Sequence, residues 1–225
     1  MRNSTIVVII LLLVVAIGFF FLGSQFGSGT APVTVSTSTD TGTGTGSTVT
    51  PPPQQDTSSW QVFGTALFTI RYPQIFTNNA VESNDEWRSG ANGDAGTLDL
   101  SIMLPKSYMP GTNFSDAKLT VGHSASAAPV SNCLKPDPSG GPSSSMTTRL
   151  INGVSFTVFT SSDAGAGNLY DTTSYRTMHN NTCIAVEYTI HYTQIANYPP
   201  GTVTQFDESK VAAMLDSVVD TFTFK

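Results

Sequence analysis

The chain has 225 residues and a formal net charge of −6, with 10 basic residues against 16 acidic ones and only 12% of positions charged. From Trp60 onward there are 9 basic and 14 acidic residues, so a nucleic-acid partner, which requires a clustered basic face, is not expected. Roughly 165 residues remain after the N-terminal low-complexity part, enough for one domain with a sizeable core.

Ile6 to Leu22 reads IVVIILLLVVAIGFFFL, seventeen residues without a charge. As a helix rising about 1.5 Å per residue it spans roughly 25 Å, near the lower limit for a bilayer core. Arg2 precedes it and no Lys or Arg follows until Arg71. The positive-inside rule puts residues 1–5 in the cytoplasm and the rest of the chain outside. The apolar run exceeds that of a cleaved signal peptide, and no clean cleavage site follows closely. We expect an uncleaved single-pass anchor at 6–22, a cell-membrane location and an extracytoplasmic C-terminal domain.

Residues 23–59 are dominated by Thr, Ser, Gly and Pro, with Asp40 and Asp56 as the only charges. Such a segment lacks the apolar content to offset its ordering entropy and is expected to be a disordered linker. Pro51-Pro52-Pro53 is expected to be locally extended. As a coil the linker has an r.m.s. span of roughly 30–35 Å.

The folded part, 60–225, opens at Trp60. Leu67 to Tyr72 alternates, with Phe68, Ile70 and Tyr72 on one face, and stops at Pro73. Gln74 to Gly96 is polar and turn-rich, with Trp87 its one large apolar residue. Leu98 to Leu104 and Ala117 to His123 read as strands. Ser124 to Ser145 reads as a loop. Asn152-Gly153 between Thr148–Ile151 and Val154–Phe159 is a strong hairpin signal, because both central residues of a type I′ turn need positive φ. Leu169 to Met178 reads as a strand, and Thr182 to Tyr192 as the longest. On that last strand Ile184, Val186, Tyr188 and Ile190 share one face, while Cys183, Ala185, Glu187, Thr189 and His191 share the other. Val211, Met214, Leu215 and Val218 recur at helical spacing over Asp207 to Val219, with Asp207 and Glu208 at the positive helix end. A short strand closes the chain at Thr221–Phe224.

Cys133 and Cys183 are the two cysteines. In an exported domain such a pair is expected to form a disulfide. Closing a loop of about 50 residues is worth about 4 kcal/mol in the chain-entropy model.

The motifs F-T-I-R-Y-P at Phe68–Pro73, I-N-G-V-S-F at Ile151–Phe156 and D-S-V-V-D-T-F-T-F at Asp216–Phe224 occur in this order behind an anchored N-terminus. In this the chain resembles bacterial PsbP/Mog1-like domains from Leu67 to Phe224. It departs from their pattern after the Y-P, where Ile75-Phe76 stands in place of a Trp. The resemblance implies an α+β fold, an antiparallel β-sheet flanked by helices in an α/β/α sandwich, here preceded by one transmembrane helix; with only one long helix evident in the sequence, a simpler sheet-plus-helix α+β form is the alternative. It also implies a non-catalytic binding or accessory module on a larger assembly, so a protein partner in the envelope is expected.

Other chemistries have weaker support. Glu187 and His191 lie about 13 Å apart along one strand, too far for one metal or a proton relay. His123, His179 and His191 show no zinc spacing. The motifs GxSxG, SxxK, Walker and Rossmann are absent, so no catalytic residue and no cofactor are expected. Glu82, Asp85, Glu86, Asn92, Asp94 and Asp99 concentrate oxygen ligands around two glycines, a weak calcium candidate centred on Asp85, Glu86, Asp94 and Asp99. Asn113-Phe-Ser115 and Asn180-Asn-Thr182 fit the N-glycosylation sequon. Trp87, Tyr170, Tyr175 and Tyr198 are the candidate binding surface. An envelope hydrolase or metal-dependent enzyme and a stalked surface or adhesion module are the alternative functions.

Overall fold

The computed structural model describes residues 56–79, 86–91, 93–136 and 146–225. The anchor 6–22, the linker up to 55 and the calcium candidates Glu82, Asp85 and Asn92 lie outside them. No described helix is long and apolar enough to cross a membrane. The last four linker residues form a turn, in which Ser58 N donates to Asp56 Oδ1 (2.9 Å) and Trp60 N to Thr57 O (3.1 Å).

Among the described residues, ten strands form two sheets. In the smaller, β1 (Gln61–Gly64), β2 (Phe68–Tyr72) and β10 (Thr223–Phe224) lie in the order β1-β2-β10. The larger contains β3 (Thr77–Asn78), β4 (Thr97–Leu104), β5 (Phe114–Ser124), β6 (Met146–Ile151), β7 (Val154–Gly165), β8 (Asn168–His179) and β9 (Thr182–Thr193). Its order is β3-β4-β5-β9-β8-β7-β6, antiparallel throughout. The two described α-helices are α1 (Ala127–Asn132) and α2 (Glu208–Val219).

The long strands are joined by tight turns whose chemistry is local. Asn152 (φ 46°) and Gly153 (φ 82°) form the expected β6–β7 turn. Ala166 (φ 50°) with Gly167 (φ 80°), and Asn180 (φ 46°) with Asn181 (φ 58°), repeat the double left-handed geometry between β7, β8 and β9. Asn152 adds a clasp, donating through Nδ2 to the carbonyls of Asp220 and Phe222, each at 2.8 Å.

The two faces of the large sheet differ. On the first, Ile102, Leu119, Val121, Ile184, Val186 and Ile190 meet the apolar stripe of α2, Val211, Leu215, Val218 and Val219, and the inner face of β2. Asp207 caps α2 by accepting from Lys210 N at 3.0 Å, as its position predicts. Tyr175 and Tyr188 donate from the sheet to Asp216 Oδ1 on α2 at 2.6 and 3.1 Å, while Arg149 Nη2 reaches both oxygens of Asp220 at 2.7 Å. At the far end, buried Asn113 donates to Thr193 O (2.8 Å) and accepts from Phe206 N (2.9 Å), tying the start of β5 to the end of β9 and the approach to α2.

Among the described residues no long helix lies over the second face. The α/β/α sandwich does not form; the fold is an antiparallel sheet with helix α2 and a small sheet on one side. The physical reason is in the connections. Gln74–Gly96 carries no helical period, and the described residues of the Pro- and Gly-rich stretch that starts at Ser124 form only the six-residue α1. That short helix is itself a correction to the loop expected there. The expected disulfide is present, with Cys133 joined to Cys183 at Cα–Cα 5.6 Å. It holds the segment after α1 to the second face of β9.

Candidate functional site

The second face is where polar side chains are buried. The β5–β9 register sets Gly122 opposite Ala185, so neither strand raises a large side chain at this point. Residues 86–91 lie across it. A Cβ on Gly122 would strike the Trp87 carbonyl, and one on Gly96 would strike the Trp87 indole. Trp87 therefore occupies a slot that exists because two positions lack side chains. Ala91, Cys133, Cys183 and Ala185 complete a small second core around it.

Seating Trp87 brings its neighbours over β9. Ser89 N donates to Glu187 Oε2. Arg88 lies over the Trp87 ring at 5.0 Å, donates to Ser89 O at 3.0 Å and stands 3.8 Å from Asp94. Glu187 is 5% exposed and faces Arg176, which is 2% exposed, at 3.6 Å. Arg176 in turn donates through Nε to Ser174 (2.8 Å) and through Nη1 to Lys135 O (3.3 Å), and stacks over Phe159 at 4.7 Å. Taking two charges out of water is unfavourable unless each is paired and hydrogen-bonded. Here the pair is held from strand, turn and helix end at once.

Beside this pair a cleft of about 160 Å³ opens, lined by Glu86, Arg88, Ser89, Lys118, Thr120, Glu187 and Thr189. Its walls carry both signs of charge, with hydroxyl donors from β5 and β9. Such a mosaic suits a polar, mixed-charge contact. On the same face of β9, two residues beyond Thr189, His191 is half-buried and stacks on Tyr170 at 4.7 Å. Both His191 ring nitrogens are engaged there, Nδ1 3.1 Å from Asp116 Oδ2 and Nε2 3.1 Å from Asn168 Oδ1.

The candidate residues fall in several places. Trp87 and Tyr175 are each 3% exposed and lie on opposite faces; Tyr170 and Tyr198 are half-buried. The four aromatics do not form one surface. Asp94 faces Arg88, Asp99 lies 2.6 Å from His123 Nδ1, and Glu86 lines the cleft. These three acids are not brought together, and no three described His, Cys, Asp or Glu side chains form a metal-ligand cluster. The histidines are dispersed. His123 pairs across from Ile184, seven residues along β9 from His191, roughly 23 Å at strand spacing. His179 stacks on Phe224 at 3.9 Å.

Arg88, Ser89, Lys118, Thr120 and Arg176 escape a sequence-based reading. The one available signal is that Glu187 shares a face with Cys183, and a disulfide on that face draws covering chain over it.

A second polar cluster joins α2 to the first face. Burial first, then the neighbouring Tyr188 and the carboxylate of Asp216, push the Tyr175 hydroxyl well above the usual phenol range. Burial likewise pushes Tyr188 up to about 12. Burial raises Asp220 as well, against the pull of Arg149. This cluster docks the helix onto the sheet.

No family model matches the chain, and no curated protein matches it. Among solved structures, a crystal structure from Bacteroides thetaiotaomicron VPI-5482 is similar, with 12% identity and a TM-score of 0.38. The match covers 70% of this chain and 45% of that one, so this chain spans less than half the length of that neighbour.

Proposed function

We infer that the protein is a membrane-anchored, extracytoplasmic, non-catalytic binding or accessory domain of PsbP/Mog1-like type, serving an envelope assembly through the second-face cleft. The observation that carries this reading is the cleft itself. It is a mixed-charge recess whose walls come from β5, β9 and the Trp87 segment, and one of its lining residues, Glu187, is paired with the buried Arg176. Rigid elements that present convergent polar groups are how a fold holds a recognition site. The apolar run at Ile6–Leu22 and the absence of catalytic motifs support the rest.

A photo-crosslinking residue placed at Thr189 of the full-length chain in intact cells tests the reading. Discrete adducts with an envelope protein are expected, and Lys118→Glu is expected to abolish them while the thermal midpoint is kept. Adducts no stronger than those from a distant exposed position such as Ile75 would overturn it.

A further inference from the structure

The seven-stranded sheet has unequal edges. One ends on β3, two residues long; the other ends on β6, Met146–Ile151, and no described strand pairs with its outer side. Open edges are ordinarily guarded by charges, proline or a bulge. β6 contains no proline and one charge, Arg149, whose guanidinium is turned to Asp216 at 3.3 Å and Asp220 at 2.7 Å. Its second-face side chains include Leu150 and Met146, 71% and 60% exposed, the two most exposed large apolar residues described.

We propose that β6 pairs antiparallel with β6 of a second copy of this chain, centred on Thr148, to make a two-fold dimer with one continuous sheet. The register follows from the hairpin. With a two-residue turn at Asn152-Gly153, Ile151↔Val154 is the closing hydrogen-bonded pair. Alternation then directs Thr147, Arg149 and Ile151 toward β7 and leaves the N–H and C=O groups of Met146, Thr148 and Leu150 pointing outward. Centred on Thr148, the pair sets Thr148 against its counterpart and Met146 against Leu150 of the second copy, in both directions. Every outward backbone group gains a partner, and the exposed apolar side chains cover each other. Arg149 faces Thr147. A shift of one residue would instead set Arg149 against Arg149 and present the groups already bonded to β7. A self-complementary strand is what a two-fold contact requires. Six residues per strand bury less than the roughly 1,200 Å² of a standard interface, so the dimer is weak and reversible.

The chain's two cysteines are joined to each other, so an introduced cysteine is the lone thiol. Directly opposed hydrogen-bonded residues sit about 5.5 Å apart, within disulfide range. Full-length Thr148→Cys in its native membranes, mildly oxidised, is expected to give a disulfide-linked dimer. Val62→Cys, 58% exposed on the edge of the small sheet, is expected to give none. Adding Leu150→Lys, or separately Met146→Lys, to Thr148→Cys is expected to remove the dimer band while the Cys133–Cys183 bond and the thermal midpoint are retained. The proposal is overturned by absence of the Thr148→Cys dimer, by equal crosslinking at Val62, by a dimer that survives both lysines, or by a crosslink to a different protein instead.

Discussion

Gly122 is the residue on which the seating of the Trp87 segment depends. Its backbone contacts the Trp87 carbonyl where any Cβ would intrude. Gly122→Ala is expected to cost about 1–3 kcal/mol, the usual range for overpacking, and to redden the tryptophan emission as Trp87 lifts toward water; thermal unfolding and fluorescence measure the two. Arg176→Met tests the buried pair beneath. It leaves the Glu187 carboxylate short of a cation and is expected to cost about 3–5 kcal/mol, with much of that recovered in the double variant Arg176→Met, Glu187→Leu; a denaturant double-mutant cycle reads the coupling. Period-two alternation placed Glu187 and His191 on one face of β9, and that holds. It had no means of separating their fates. Glu187 is covered because a segment without periodicity folds back over its end of the strand. His191, four residues on, stays at the rim between Asp116 and Asn168. Arg88 and Ser89 belong to that same covering segment, which is why the site itself was not legible.

Elements with their own local code were read well. Asn152-Gly153 specifies its turn from two residues, and both adopt positive φ. Asn152→Ala removes a residue suited to that conformation and also the two bonds to Asp220 O and Phe222 O. It is expected to lower stability by roughly 1–3 kcal/mol, as a reduced denaturant midpoint. The helix α2 was legible from its apolar spacing and acidic start. Its docking was not, since alternation alone does not say which face of β8 turns inward. Tyr175 consequently reads as a surface aromatic, whereas its hydroxyl is held by Asp216 at 2.6 Å. The joint between helix and sheet has a pH signature. Tyr188 titrates near 10 when unfolded and about 12 when folded. Its raised value means the folded state keeps the proton longer, so its contribution is complete below pH 10 and is lost as pH rises toward 12. The unfolding free energy is expected to fall across that window, and Tyr188→Phe to flatten the fall, in chemical denaturation at a series of alkaline pH values.

Across the whole molecule, one sheet face is a conventional core and the other is fastened by a crosslink. Strand alternation made the antiparallel sheet and its first-face core legible. The outer covering differs from the sandwich that the resemblance implies and agrees with the simpler sheet-plus-helix form, because these connections carry no helical period from which a second helical layer could be built. In its place the Cys133–Cys183 bond, 50 residues apart, pins the end of α1 beside Trp87. Cys133→Ser with Cys183→Ser is expected to cost about 4 kcal/mol by loop-closure entropy and to loosen residues 86–91 first, visible as faster amide exchange there than in β9. Asn113 carries a last consequence. Both ends of its amide are spent on the chain, donor to Thr193 O and acceptor from Phe206 N. A sugar attached at that nitrogen would have to arrive before the domain closes, and would then hold the start of β5 away from the end of β9. Of the two sequons within the domain, only the one at the exposed Asn180 turn is open to a transferase that meets the finished protein.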